Sequence, residues 1–233
     1  YEITTRLVGS EMCIRDSVQV EVSCMRSFSR ITKVAIFRYL RAEKRCEMEK
    51  PNHREWKVLS REYLAREPWF TVRRDRVELP DGRQIPGYYV FEYPAWVNVL
   101  ARTADGLYLF VSQYRHGLGE THYELVAGVS EASDAGMEAA ARRELAEETG
   151  YGGGCWRLYM TLSANPATTN NLTYCFLAEG VERMGEPSPD ATEDLDVHLL
   201  TESQVRELLC SDGIRQALHA APLWKYAVER RWF

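Results

Sequence analysis

From Trp56 onward, hydrophobic and polar positions alternate in short runs separated by turn residues, the period of half-buried β-strands. Residues 57–64 and 70–79 alternate imperfectly, and Pro80-Asp81-Gly82-Arg83 is a strong hairpin turn leading to a third strand over 84–93. A fourth strand is expected over 96–103, a turn at Asp105-Gly106, and a fifth strand over 107–114. Residues 122–126 lead into a loop. The period then becomes helical over about 137–149, and Gly150 stands where a left-handed cap ends a helix. Strands are predicted at about 156–163, 172–178 and 194–200, with helices at 201–210 and 213–229, Pro222 kinking or splitting the second. A mixed sheet with helices on both sides is an α/β/α sandwich, here preceded by an N-terminal antiparallel β meander over 56–93.

The helix before Gly150 carries the chemistry. Glu144, Glu147 and Glu148 lie at spacings of three, four and one, so their carboxylates converge on one face. Like charges this close repel by a few tenths of a kcal/mol per pair unless a cation sits among them. Hard oxygen ligands suit Mg²⁺, with Mn²⁺ as the other candidate, because Mg²⁺ takes one or two carboxylates and leaves positions for water and phosphate. A solvated Glu-rich surface helix is the plain alternative. Arg143 lies between acids and is expected to orient the Glu side chains by ion pairing rather than to touch a substrate.

The run Arg143-Glu144-Leu145-Ala146-Glu147-Glu148-Thr149-Gly150-Tyr151 resembles the C-terminal half of the Nudix box, the signature of a family of diphosphate hydrolases. That pattern begins with Gly, five residues, Glu and seven residues before the Arg. Here the count back from Arg143 reaches Ala135 at the first Glu and Val129 at the Gly, while Gly128 and Asp134 each stand one residue early. Loop insertions of one residue cost little, which makes this a bulged box. The resemblance implies the α/β/α fold, metal-assisted hydrolysis of a diphosphate, and catalytic or metal roles for Glu144, Glu147 and Glu148, with Gly128, Arg143 and Gly150 structural.

Flanking segments resemble the branch acting on ADP-ribose and nucleoside-diphosphate sugars, over roughly residues 56–229. Gln113-Tyr114-Arg115 and Glu124-Leu125-Val126-Ala127-Gly128 look like its pre-box segments. By that likeness Arg115 faces the diphosphate, Glu124 approaches the metal, and Ala127 offers its carbonyl to a cation. The plain alternatives are a sheet-edge charge for Arg115 and a partner of Arg143 for Glu124. Glu193 fits a further metal-ligand position, Ala191 stands where some relatives carry the general base, and Asn170 and Asn171 stand near a glutamate of related loops. Tyr88, Tyr89 and Phe91 are candidates for stacking on a base, with core packing the other reading. The branch also implies a homodimer in which N-terminal strands pair across subunits. The expected activity is cleavage of a nucleoside diphosphate linked to X, best ADP-ribose or an ADP-sugar giving AMP and a sugar phosphate. A non-catalytic nucleotide sensor is the alternative.

Composition narrows the rest. The 233 residues are 45% hydrophobic, enough for one well-buried core, and no apolar run is long enough to span a bilayer. Net charge is −5, which gives no bulk attraction to nucleic acid. Six cysteines show no CxxC or zinc-like spacing and read as free thiols of a cytoplasmic protein. Residues 1–47 are net positive against a strongly negative remainder, and residues 7–17 resemble a translated adapter artefact. They are expected to be a non-domain leader that adds nothing to catalysis, with the domain over 48–233 and Met48 as start. A transit peptide from Met25, over the basic stretch 25–42, is the other reading.

Overall fold

A computed structural model describes residues 54–190 and 192–233. The readings placed on residues 1–47, on Met48 and on Ala191 lie outside the described residues. Residues Glu55–Phe233 form one compact unit. In order along the chain its elements are β1 (Lys57–Glu67), β2 (Phe70–Glu78), β3 (Gln84–Glu92), β4 (Trp96–Thr103), β5 (Tyr108–Arg115), β6 (Glu120–Glu124), β7 (Val126–Val129), α1 (Met137–Thr149), β8 (Tyr151–Gly152), β9 (Cys155–Leu162), β10 (Thr173–Arg183), β11 (Leu195–Leu200), α2 (Glu202–Cys210) and α3 (Ala217–Glu229).

The expected meander is a separate three-stranded antiparallel sheet, β1-β2-β3. Its β2–β3 turn carries Gly82 at φ 84, and Gly82 N–H donates to the Leu79 carbonyl at 2.9 Å. Asp75 is buried on β2 and accepts from Arg61 and Arg73, each at 3.1 Å, so its charge is paired where burial alone would be costly.

The larger sheet runs β11-β5-β4-β10-β8, with β6 on β5, β7 on β4 and β9 on β10. It is mixed because β10 runs parallel to β4 while its other pairings are antiparallel. One face, including Val97, Val99 and Phe176, packs on Ala140, Ala141 and Leu145 of α1. The other, including Leu100, Phe110 and Leu177, packs on Val205 and Leu209 of α2 and on Leu223 and Tyr226 of α3. The three-layer expectation therefore holds.

Boundaries differ from the sequence expectation in three places. The segment expected over 122–126 is two strands, because Leu125 ends the pairing with β5 and Val126 begins the pairing with β4. The strand expected to end at 178 runs on to Arg183, where β8 pairs with it. The last helix starts at Ala217 rather than 213: Asp212 adopts φ 56 and Gly213 N–H donates to the Leu208 carbonyl at 2.8 Å, which closes α2 and turns the chain.

Pro222 neither splits nor ends α3. Proline lacks the N–H that would bond the carbonyl four residues earlier, leaving the Leu218 oxygen free. Asn98 Nδ2 on β4 donates to that oxygen at 2.8 Å. The loss inside the helix becomes the bond that ties α3 to the sheet.

The feature that makes a site is a divergence of strands. β4 and β5 pair only at Ala101↔Leu109 and Arg102↔Tyr108, and beyond that point each takes a different partner, β7 and β6. The gap between them opens a cleft toward both helical layers.

Candidate active site

The cleft encloses about 490 Å³, within the range of small-molecule sites. Arg115, Ala127, Gly128, Glu148 and Glu193 line it, together with Trp96, Asn98, Thr173, Leu218 and His219.

Arg143 organises the end of α1. Its Nη1 donates to Glu144 Oε1 at 3.0 Å and to Glu147 Oε2 at 2.9 Å. Its Nη2 reaches the Val129 carbonyl at 2.9 Å, and Nε and Nη2 each reach an oxygen of Asp134 at 3.2 Å. The Asp134 hydrogen bond is the largest influence holding the guanidinium above its already high ordinary pKa. Arg143 thus pairs with acids, as expected from its position. Asp134, one residue early in the box, still reaches it, because the loop over 129–136 turns on a bond from Glu131 N–H to Asp134 Oδ2 at 2.8 Å.

Gly128 is needed for a steric reason. A Cβ there would lie 2.1 Å from the Glu144 carboxyl carbon. Glu144 Oε1 also accepts from Val129 N–H at 3.2 Å. The box glycine is therefore Gly128, and the irregular count is taken up in the loop after it. Gly150 caps α1 at φ 73, its N–H bonded to the Ala146 carbonyl. A side chain there would also strike the Gly185 carbonyl at 2.3 Å.

Glu148 has no such partner. It is 4% exposed, and its Oε2 lacks any hydrogen bond. Burial, then the charges of Glu144 and Glu193, push its pKa up to about 9, against a backbone hydrogen bond from Ala127 and the charge of Arg115. Burial also raises Glu144, partly offset by Arg143. An orphaned carboxylate oxygen beside two further acids fits a divalent cation. Among the described residues no three acidic, His or Cys side chains already sit at ligand spacing. Arg143 holds the Glu144 and Glu147 carboxylates meanwhile.

Glu124 pairs with Arg115 rather than with Arg143, through a fork of 2.8 Å and 2.5 Å. The carboxylate is 3% exposed while the Arg115 side chain remains 44% exposed at the cleft, so the acid anchors a guanidinium that solvent can reach. His219 Nδ1 accepts from Leu125 N–H at 3.1 Å, which puts its proton on Nε2, 3.8 Å from Glu124. Complete burial lowers its pKa to about 4, so the ring is neutral.

Other candidates lie elsewhere. Tyr88 and Tyr89 are on the meander and do not line the cleft; the Tyr88 hydroxyl donates to the Ala167 carbonyl at 2.6 Å. Asn170 and Asn171 are tethers: Asn170 Oδ1 accepts from Tyr93 N–H at 3.2 Å, and Asn171 Nδ2 donates to the Pro94 carbonyl at 3.1 Å. Sequence reasoning missed Asn98, Thr173 and His219. Asn98 had a usable signal, a lone amide within the apolar run Val97-Asn98-Val99-Leu100. His219 had none, since only the fold brings α3 to the cleft.

Comparison with known proteins gives a consistent picture. A family profile described as the NUDIX domain matches residues 92–218, and one described as the nucleoside diphosphate sugar hydrolase N-terminal domain matches residues 56–91. The chain is similar to an ADP-ribose pyrophosphatase of Mycobacterium tuberculosis (strain ATCC 25618 / H37Rv), 30% identical over 133 residues, 57% of this chain and 64% of that protein. The match thus spans less than two thirds of that relative's length. It is also similar to an ADP-ribose pyrophosphatase of Bacillus subtilis (strain 168), 29% identical over 164 residues, 70% of this chain and 88% of that one. A crystal structure titled as an ADP compounds hydrolase shares the fold with TM-score 0.65 at 20% identity, covering 78% of this chain and 96% of that one.

The raised pKa of Glu148 makes metal-free stability depend on pH. The folded state binds this proton more tightly than the unfolded chain, so stability falls as pH rises from the ordinary carboxylate range toward about 9. Glu148→Gln is expected to melt higher than the parent at pH 8 in EDTA and close to it at pH 5. Equal melting temperatures at both pH values would mean that Glu148 is not buried as a proton-bearing acid.

Proposed function

The chain belongs to the Nudix family, and on that premise we propose that it hydrolyses the diphosphate of a nucleoside diphosphate linked to X, taking ADP-ribose or an ADP-sugar to AMP and a sugar phosphate. The observation that carries this reading is Glu148, a buried carboxylate with one unpaired oxygen that lines the same cleft as Arg115. Relatives named ADP-ribose pyrophosphatase support the substrate class.

Glu144, Glu147 and Glu148, with Glu193 and the Ala127 carbonyl, would hold Mg²⁺ or Mn²⁺. When bound, such a cation neutralises charge developing on the diphosphate and lowers the pKa of water. The chain's own residues do the rest. Arg115, anchored by buried Glu124, presents N–H donors to a phosphate oxygen, a role a guanidinium fork suits. Arg143 keeps Glu144 and Glu147 on one side of α1 until they are needed. Glu144 does not itself line the cleft; its carboxylate rests against Gly128, which does.

Tyr88 and Tyr89 do not line the cleft of their own chain and would serve a substrate through a second copy. The proposed homodimer is supported by exposed apolar side chains on the meander, among them Leu64, Trp69, Phe70 and Tyr89. Light scattering at micromolar concentration should give twice the chain mass, and a monomer would remove these tyrosines from the site. Cys155, Cys175 and Cys210 are free thiols, which supports a reducing, cytoplasmic setting. Among the described residues no helix is long and apolar enough to cross a membrane.

The decisive experiment is a substrate panel of ADP-ribose, other sugar nucleotides, dinucleoside polyphosphates and nucleoside triphosphates with Mg²⁺. ADP-ribose or an ADP-sugar should give the highest kcat/KM, and Glu148→Gln or Glu147→Gln should lower kcat at least about 100-fold with the fold retained. Preference for triphosphates would overturn the substrate choice. Full activity of both variants would overturn the metal assignment, and tight binding without turnover would make the chain a sensor.

A further inference from the structure

Beside its charged residues the cleft is lined by uncharged polar ones, and two of their polar atoms are unsatisfied. Asn98 is 1% exposed, and its Nδ2 is committed to the Leu218 carbonyl, which leaves Oδ1 as the free atom, with no hydrogen-bond partner. Thr173 is 2% exposed, and its Oγ1 also has none. The two belong to neighbouring parallel strands on the α3 side of the sheet: Thr173 pairs with Trp96, two residues before Asn98. Both line the cleft with Trp96 and the neutral His219.

An unpaired buried amide oxygen costs about 1–3 kcal/mol, a cost the fold keeps only if something relieves it. Asn98 Oδ1 can only accept. A phosphate oxygen is likewise an acceptor and offers it nothing, whereas a sugar hydroxyl donates and accepts and so suits both Oδ1 and Oγ1. The indole of Trp96 adds an apolar face with a polar edge. Resting on the reading of the charged residues of the cleft as the diphosphate site, we propose that Asn98 and Thr173 form a sugar-hydroxyl subsite that selects substrates whose diphosphate carries a sugar here. The sugar is the distal one of X or the ribose of the nucleoside; their chemistry at these two atoms is the same.

Asn98 also ties α3 to the sheet, so its removal would disturb folding. Thr173→Val is the cleaner test: it is nearly isosteric and deletes a hydroxyl that bonds nothing in the protein. Its melting temperature should be unchanged or higher. Steady-state kinetics would compare ADP-ribose, the methyl ester of ADP, and the 2′,3′-dideoxyadenosine form of that ester. If the distal sugar occupies the subsite, the variant lowers the ratio of kcat/KM for ADP-ribose over methyl-ADP about tenfold, mainly through KM. If the nucleoside ribose occupies it, the ratio of methyl-ADP over its dideoxy form falls instead. Neither ratio moving, or a uniform loss with a lower melting temperature, overturns the subsite. Should the parent hydrolyse none of the three, the diphosphatase reading fails separately, and calorimetric binding of ADP-ribose decides: weaker binding by Thr173→Val upholds the subsite, while equal or no binding overturns it.

Discussion

Too many carboxylates share the end of one helix, and the site follows from how that crowding is resolved. Glu144, Glu147 and Glu148 would repel one another if all stayed ionised in a partly buried space. A single guanidinium, Arg143, takes Glu144 and Glu147, and through Asp134 and the Val129 carbonyl it also pins the loop that leads into the helix. Glu148 is left inside with no such ion pair and one oxygen unbonded. Its carboxyl is costly to ionise at that point, and a divalent cation would relieve that cost.

The cleft exists because β4 and β5 part after two pairs of residues and complete their hydrogen bonding with different strands. Each strand finds a new partner where the two part, which supplies hydrogen bonds along the opening. Pro222 and Asn98 do the equivalent on the opposite layer, turning a missing helix bond into the contact that sets α3 over the opening. His219 is seated by the same helix, and its ring accepts from the backbone of Leu125, the residue between β6 and β7.

Much of this was legible in the chain. Alternation located the meander and the strands, and the change to helical period located α1 to the residue, because Gly150 punctuates its end. The pairing of Arg143 with acids of its own helix was legible because helical spacing is local. Elements whose ends depend on partners were not: β10 runs to Arg183 because β8 meets it there, and Leu125 divides two strands only because the sheet splits. The irregular count before the box was resolved by sterics, since only a glycine at 128 leaves room for the Glu144 carboxylate. Glu124 could have paired with either arginine; it lies on β6, the strand paired with the β5 that carries Arg115, and the long Arg115 side chain reaches back along the strands to it. Asn98, Thr173 and His219 come together from β4, β10 and α3, a juxtaposition that no local spacing encodes.

The claim that Glu148 waits as an uncompensated buried acid is tested most directly by counting protons. With a pKa of about 9 in the metal-free protein, Glu148 carries a proton at neutral pH and must release it to ligate a cation. Titration of Mg²⁺ into the protein at pH 7, by calorimetry in buffers of different ionisation enthalpy, gives the protons released per ion bound. The account predicts about one proton, lost in Glu148→Gln. Binding of Mg²⁺ with no proton released from the parent would contradict it.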